Sequence, residues 1–330
     1  MTSKEQPTAD QNGNLTLGVD IGGTKVAAGL VDAKGTILFQ TRVPMPARED
    51  AAAGFAAVER AINAVFEAQP EARASLAGIG ICAPGPLDPF RGVVLNPPNL
   101  PCWRNFPLAA EVQRVFHVCA KVDNDANAAA LAEAIWGAGI GFRNVFYATL
   151  GTGIGSGIVF DRHIYHGRTG SAAEGGHVSI DYNGPRCGCG KRGCIEALCS
   201  GPAIAQRARQ RLLESEAPSR MRELTGGNLD NLTAEHVAKA FREGDALARE
   251  VLEATADLLT VWLGNIIDFL EPDVIVVGGG IAQVMSEFFP RMQTELPKWA
   301  INARCCEIPL LLAKYGSEAG IAGAAALCRQ

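Results

Sequence analysis

Leu15-Thr-Leu-Gly-Val-Asp-Ile-Gly-Gly-Thr-Lys-Val-Ala-Ala-Gly-Leu-Val-Asp32 reads as two apolar runs separated by a glycine turn and closed by an aspartate turn. Leu15 to Asp20 is a short buried strand ending in an acid, and Val26 to Val31 is apolar again. Asp32-Ala-Lys-Gly35 turns once more before Thr36 to Val43, so the stretch predicts a three-stranded antiparallel meander. Its outline returns at Leu150-Gly-Thr-Gly-Ile-Gly-Ser-Gly-Ile-Val-Phe-Asp161, again strand, glycine turn, strand and aspartate turn. The repeat is weak by identity and good by pattern.

Outward from these two anchors, strands alternate with helices. A helix is expected from about Glu49 to Ala68, a strand over Leu76 to Cys82, a short helix over Leu108 to Phe116, and a strand over Ala120 to Val122. After the second meander, Glu196 to Glu214 reads as one helix and Ser215 to Leu232 as a polar connection. Thr233 and Asp245 are the expected caps of two further helices. Val274 to Val277 and Ile308 to Leu312 are the last strands, and Ser317 to Cys328 the last helix. This alternation predicts two α/β domains.

Composition narrows the function classes. Of the 330 residues 48% are hydrophobic and 20% charged, and the net charge is −5. No basic run suggests nucleic acid or an anionic membrane surface, and no apolar run reaches spanning length. The first fourteen residues are polar, a disordered lead-in rather than a signal peptide. Without an export signal the ten cysteines are expected in a reducing cytoplasm.

Three of those cysteines are not scattered. In EGGHVSIDYNGPRCGCGKRGCIE (174–196), Cys187, Cys189 and Cys194 lie within eight glycine-rich residues, and His177 lies ten residues upstream of the first. Three thiolates and an imidazole make a closed tetrahedral set for a structural Zn2+. Small buried hydrophobes and a core histidine are the alternative, which three cysteines in one loop argue against. Glu174 and Glu196 flank the segment and are left to face a polar ligand.

Three glycine turns stand at strand ends: Gly22-Gly23-Thr24-Lys25, Gly151-Thr152-Gly153 and Gly278-Gly279-Gly280. Each alone is an ordinary tight turn, and neither a Walker A loop nor a dinucleotide fingerprint is present. Together they suit a nucleotide, their N–H groups cradling phosphates, with Asp20 placed to hold Mg2+ and Thr24, Thr152 and Lys25 to meet oxyanions. Asp125, opening a helix in Asp123-Asn124-Asp125, is either a helix cap or a general base on a substrate hydroxyl. Asp123 or Asn124 is able to cap instead. Asn96 and Asn99, in a proline-rich loop with Trp103, are amides suited to neutral hydroxyls. Asn, Asp, Glu and His without a basic pocket suggest a neutral polyol, and so a sugar.

DIGGTK (20–25), NDANAAALAE (124–133), LGTGIGSG (150–157), EGGH (174–177), CGCGKRGCIE (187–196) and VVGGGIA (276–282) resemble the ROK family of bacterial sugar kinases, the glucokinases above all. The resemblance implies an actin-like (hexokinase/Hsp70-type) fold, two α/β domains around a cleft. The small domain is expected at 15–124 with the C-terminal helix at about 315–330, the large one, with the zinc loop, at 125–314. It implies ATP, Mg2+ and structural Zn2+, a place in carbohydrate metabolism, and a homo-oligomer. By position Asp125 falls on the catalytic base, and Gly85, Asn99, Asn124, Glu174, His177 and Glu196 on sugar contacts. The zinc ligands are then His177, Cys187, Cys189 and Cys194, the phosphate turns Gly22 to Lys25 and Gly151 to Gly153, and the adenosine side Gly278 to Gly280. Glucose is the first expectation, with N-acetylglucosamine, N-acetylmannosamine, fructose and mannose as alternatives and polyphosphate as an alternative donor. The family also contains sugar-binding repressors with a DNA-binding domain ahead of the DIGGTK-like strand. Fourteen residues before Leu15 are too few for one, which favours an enzyme.

Overall fold

Strand β1 (Leu15–Ile21) forms where the opening apolar run predicts it, in a computed structural model that describes residues 15–330. The fourteen-residue lead-in lies outside the described residues. β2 (Lys25–Val31) pairs antiparallel with β1 from Thr16↔Val31 to Ile21↔Val26, and β3 (Ile37–Pro44) pairs antiparallel with β2. β3 alternates between half-buried and exposed residues along its length, as an edge strand does, while β1 and β2 are buried almost throughout. Helix α1 (Ala51–Ala68) starts two residues later than expected because Asp50 takes the cap, its Oδ1 accepting the N–H of Ala53 at 2.7 Å. β4 (Leu76–Ala83) runs parallel to β1. The proline-rich loop holds a small hairpin, β5 (Leu87–Asp88) with β6 (Val93–Val94), and leads to α2 (Leu108–Phe116). β7 (Ala120–Asn124) runs parallel to β4, giving a sheet of order β3-β2-β1-β4-β7.

Helix α3 (Asp125–Trp136) leads to the second meander, β8 (Asn144–Leu150), β9 (Ile154–Phe160) and β10 (His163–Ile164). β11 (Val274–Gly278) and β12 (Leu310–Leu312) add to it in parallel, for an order of β10-β9-β8-β11-β12. The two sheets thus share one topology, an antiparallel meander extended by two parallel strands from its first strand. The repeat seen faintly in the sequence is a repeat of the fold. β9 begins at Ile154, because only Gly151 to Gly153 is needed to turn the chain.

Between these strands lie α4 (Ile195–Cys199), α5 (Gly201–Glu214), α6 (Arg220–Leu224), α7 (Ala234–Arg242), α8 (Ala246–Leu270), α9 (Ala282–Met285) and α10 (Phe289–Glu295), and α11 (Ala319–Ala326) follows β12. The single helix expected over 196–214 is two: Ser200 is extended, and Pro202 sits in the first turn of α5, where its missing N–H costs nothing. Thr233 and Asp245 cap α7 and α8 as predicted. Among the described residues no helix is long and apolar enough to cross a membrane.

The chain divides into two compact units, one running to Ala128 and resuming at Gly320–Gln330, the other Ala129–Ala319. The first has its core between sheet and α1, with Leu17, Val19, Val58, Ile62, Ile79 and Ile81 fully buried. On the other face α11 lies directly on the strands: a Cβ at Gly80 would stand 1.7 Å from the carbonyl oxygen of Ala324, and one at Gly18 2.0 Å from that of Ile321. Glycine at both positions is what lets the C-terminal helix lie so close. The second unit packs α5, α7 and α8 on its sheet around Phe146 and Trp262, whose rings meet edge to face 5.7 Å apart.

Candidate active site and metal centre

In the first unit the candidate residues gather at the C-terminal ends of β1, β4 and β7. Gly22 donates its N–H to Lys25 at 2.9 Å, closing the first glycine turn and leaving Thr24 and Lys25 exposed. A Cβ on Gly23 would lie 2.9 Å from the carbonyl oxygen of Asn99, so this turn and the proline-rich loop touch. Asp20 pairs across the sheet with Cys82 and sits against Gly320, where a Cβ would come within 2.5 Å of its Oδ2. Burial pushes its carboxyl above the usual range; a hydrogen bond from the Cys82 thiol and the charges of Lys25 and Arg42 pull the other way. Asn124 and Gly85 are neighbours, a Cβ on Gly85 falling 3.6 Å from Nδ2 of Asn124. The N–H of Ala126 is shared at the start of α3 by the Oδ1 atoms of Asn124, at 2.9 Å, and Asp125, at 2.8 Å, and Asp125 is exposed. Trp103 is a loop anchor rather than a stacking platform: it is buried, stacked on Phe106 at 4.9 Å, and donates to the carbonyl of Ala51.

The second unit holds the cysteine segment. The ligand atoms of His177, Cys187, Cys189 and Cys194 all lie within 4.8 Å of one another. Cys189 and Cys194 have their sulfurs 3.7 Å apart, and Cys187 Sγ is 3.6 Å from His177 Nδ1. A tetrahedral Zn2+ with Zn–S of about 2.3 Å and Zn–N of about 2.05 Å requires edges of about 3.8 Å (S···S) and about 3.6 Å (S···N). The residues therefore fit the ion, and the nitrogen facing it is Nδ1. The turn that presents them is fixed from beneath. Lys191 donates to the carbonyl of His177 at 2.6 Å, Ile195 donates to that of Val178 at 3.0 Å, and Cys187 to that of Lys191 at 2.8 Å.

Glu174 and His177 leave the chain at either end of a 3-10 turn whose two glycines are pressed against β9. Gly176 has no room for a side chain, since its Cβ would fall 1.8 Å from the carbonyl oxygen of Ile154. Gly175 donates to Ser156 Oγ at 2.9 Å and accepts from Trp262 Nε1 at 3.1 Å. Glu196, in the first turn of α4, accepts the N–H of Ile154 on Oε2 at 3.0 Å and has Oε1 3.9 Å from His177 Nδ1. The Cys/His cluster, Glu196 and the Gly151–Gly153 turn thus form one connected patch. The third glycine turn joins it: Gly279, at φ +90°, lies against Leu150, and Ile281 donates to the carbonyl of Leu150 at 3.1 Å. Beside it is a pocket of about 120 Å³ between Ala234, Ala238 and Arg242 of α7 and Gly280, Ile281 and Val284.

Several contributors escaped the sequence reading. Ser156 and Trp262 hold the EGGH turn, Lys191 holds His177, and Asp123 and Asn127 underpin Asp125. The serine within GIGSG and the acid heading DND were the available signals. Nothing in the sequence marked Trp262, which lies in α8, 87 residues beyond Gly175.

A ROK family model matches residues 16–330. The glucokinase of Streptomyces coelicolor is 34% identical over 322 residues, covering 96% of this chain and 98% of that protein. The xylose repressor of Bacillus subtilis is 26% identical over 314 residues, 95% of this chain and 77% of that one. Among solved structures, a ROK family glucokinase from Streptomyces griseus in complex with glucose and AMPPNP superposes with a TM-score of 0.80 at 36% identity, covering 96% of this chain and 99% of that chain. The two sheets of one topology are those of an actin-like fold. With a family model matched along nearly its whole length and a relative a third identical end to end, the chain belongs to the ROK family.

Proposed function

We propose that the protein is an ATP-dependent hexose kinase that transfers the γ-phosphoryl group of ATP to the 6-hydroxyl of glucose. The observation that carries this reading is the full-length similarity to a ROK glucokinase holding glucose and a nucleotide analogue, joined to an exposed Asp125 at the start of α3. Asp125 is the general base: it takes the proton of the 6-hydroxyl as that oxygen attacks phosphorus in line. Asn124, whose Oδ1 is spent on the cap, offers Nδ2 to the sugar with Gly85 and Asn99 nearby. Glu174, Glu196 and His177 accept or donate to further hydroxyls, and with Nδ1 of His177 turned to the metal, Nε2 is the nitrogen left for sugar.

The phosphates of ATP fall to the N–H groups of Gly22, Gly23 and Gly151 to Gly153, with the hydroxyls of Thr24 and Thr152 and the cation of Lys25. Adenosine falls to the Gly278–Gly280 turn and the pocket beside it. Asp20 is the carboxylate to hold Mg2+, whose charge offsets that of the transferring group. Zn2+ on His177, Cys187, Cys189 and Cys194 has a structural role, keeping His177 and Glu196 in register. Positioning and oriented dipoles supply most of the rate.

The test is product analysis with Mg·ATP and glucose: 31P and 13C resonances of glucose 6-phosphate are expected, growing in far more slowly with Asp125→Ala, which still binds glucose by calorimetry. The xylose repressor similarity supports a second reading, a sugar-binding regulator. Calorimetric sugar binding with no product from the wild type favours it.

A further inference from the structure

Asp123, Asn124 and Asp125 are three adjacent polar residues at the corner where β7 becomes α3. Asn124 and Asp125 both accept the N–H of Ala126 on Oδ1, at 2.9 and 2.8 Å, and Asp125 is exposed. Asp123 points inward and is only 3% exposed. Its Oδ1 accepts the backbone N–H of Asn124 at 2.7 Å and Nδ2 of Asn127 at 3.1 Å. It thereby spans the corner, holding the residue before Asp125 by its backbone and the residue two after it by its side chain.

Asn127 meets Asp123 with its donor. It is 3% exposed, and its Oδ1 is buried without a hydrogen-bond partner. A buried amide whose oxygen is unsatisfied is a feature that requires a cause. Turning the amide over would set oxygen against the oxygen of Asp123, so the bond to Asp123 fixes its orientation. Toward the interior of the sheet Asp123 pairs in register with Cys82 of β4, and Asn124 with Ala83, so the corner is anchored to the sheet as well.

We propose that Asp123 is a positioning residue for Asp125, fixing through the N–H of Asn124 and the amide of Asn127 the direction in which the Asp125 side chain leaves the strand-to-helix corner. The inference rests on Asp125 being the base of the proposed reaction. A displacement of about 1 Å at a reacting group costs on the order of 10²-fold in rate, which sets the effect to look for.

The experiment compares Asp123→Asn, Asp123→Ala and Asn127→Leu with the wild type by kcat at saturating glucose and Mg·ATP, by KM for ATP, and by hydrogen exchange at the Asn124 amide. Asn at 123 keeps an oxygen for both N–H donors, and Ala does not. Asp123→Ala is expected to lower kcat by roughly 10- to 100-fold with the ATP KM unchanged, and to speed exchange at Asn124. Asp123→Asn restores protection and most of kcat. Asn127→Leu, which keeps the Asn124 bond, lowers kcat without exposing that amide, and it decides the matter if Asp123→Ala does not fold. Wild-type kcat in both Asp123→Ala and Asn127→Leu, or equal damage from Asp123→Asn and Asp123→Ala, overturns the proposal. Full turnover by Asp125→Ala overturns the base reading instead. The exchange response at Asn124 then still decides whether Asp123 holds the corner, and unchanged exchange in Asp123→Ala says that it does not.

Discussion

Glu196 Oε2 accepts the backbone N–H of Ile154 at 3.0 Å, tying the first turn of α4 to the residue that follows the Gly151–Gly153 turn. The same carboxylate faces His177 with its other oxygen, so the cysteine cluster and the second glycine turn are braced by one side chain. The cluster and the second glycine turn are therefore linked through Glu196 by direct contacts. Gly153 leaves the space for this: a Cβ there would fall 2.6 Å from Oε2 of Glu196.

Cys187→Ser is expected to lose zinc and loosen this brace. Metal analysis of the wild type gives one equivalent of zinc per chain, and the variant gives none. The thermal midpoint falls by roughly 5–10 °C, taking about 2–4 °C per kcal/mol for a unit of this size. The KM for sugar rises more than that for ATP. Equal zinc in both proteins contradicts the ligand set.

Asp125→Ala should reduce kcat by about 10²–10⁴, the usual range for a general base. Glucose affinity by calorimetry stays within a few-fold, because the sugar contacts assigned to Asn99, Asn124, Glu174, His177 and Glu196 are intact.

Gly80→Ala tests the seat of the C-terminal helix. Its Cβ would overlap the carbonyl oxygen of Ala324, and overpacking of this kind costs about 1–3 kcal/mol or more. Urea unfolding should show that loss, with faster proteolysis near α11. Gly188→Ala, where an added Cβ meets nothing within 4 Å, serves as the control and should leave stability unchanged.

Asp245 predicts a pH dependence. Burial raises its carboxyl, yet hydrogen bonds from the Ser219 hydroxyl and the N–H groups of Ala248, Arg220 and Leu247 outweigh this and hold it below 3.8. A lowered folded value means that its stabilisation is complete above the unfolded value and is lost as pH falls through the folded one. Asp245→Ala should cost about 0.5–2 kcal/mol at neutral pH, as for other helix caps, and the difference from wild type should shrink through the acid range. A difference independent of pH would contradict it.

Much of the fold was legible in the sequence because both anchors are local. The strand, glycine turn and strand of 15–31 depend on apolar runs and on residues that permit a tight turn, and Thr233 and Asp245 mark helix starts by their own side chains. Cysteine spacing likewise exposed the metal cluster, whose ligands lie close in the chain. What stayed hidden depends on long-range packing. The joint dependence of Gly80 and Ala324, or of Gly175 on Trp262, joins residues far apart and leaves no local pattern. The break at Ser200 was masked by good helix formers on both sides. That Asn124 and Asp125 share the Ala126 N–H while Asp123 turns inward to Asn127 required coordinates, since all three types can cap a helix.

The most direct test of the central claim is ADP release from Mg·ATP, measured with glucose, mannose, fructose, N-acetylglucosamine and N-acetylmannosamine in turn. An ATP-dependent glucokinase turns over fastest on glucose, by kcat/KM. No ADP release above background on any of the five, from protein that carries zinc and binds glucose by calorimetry, would contradict it.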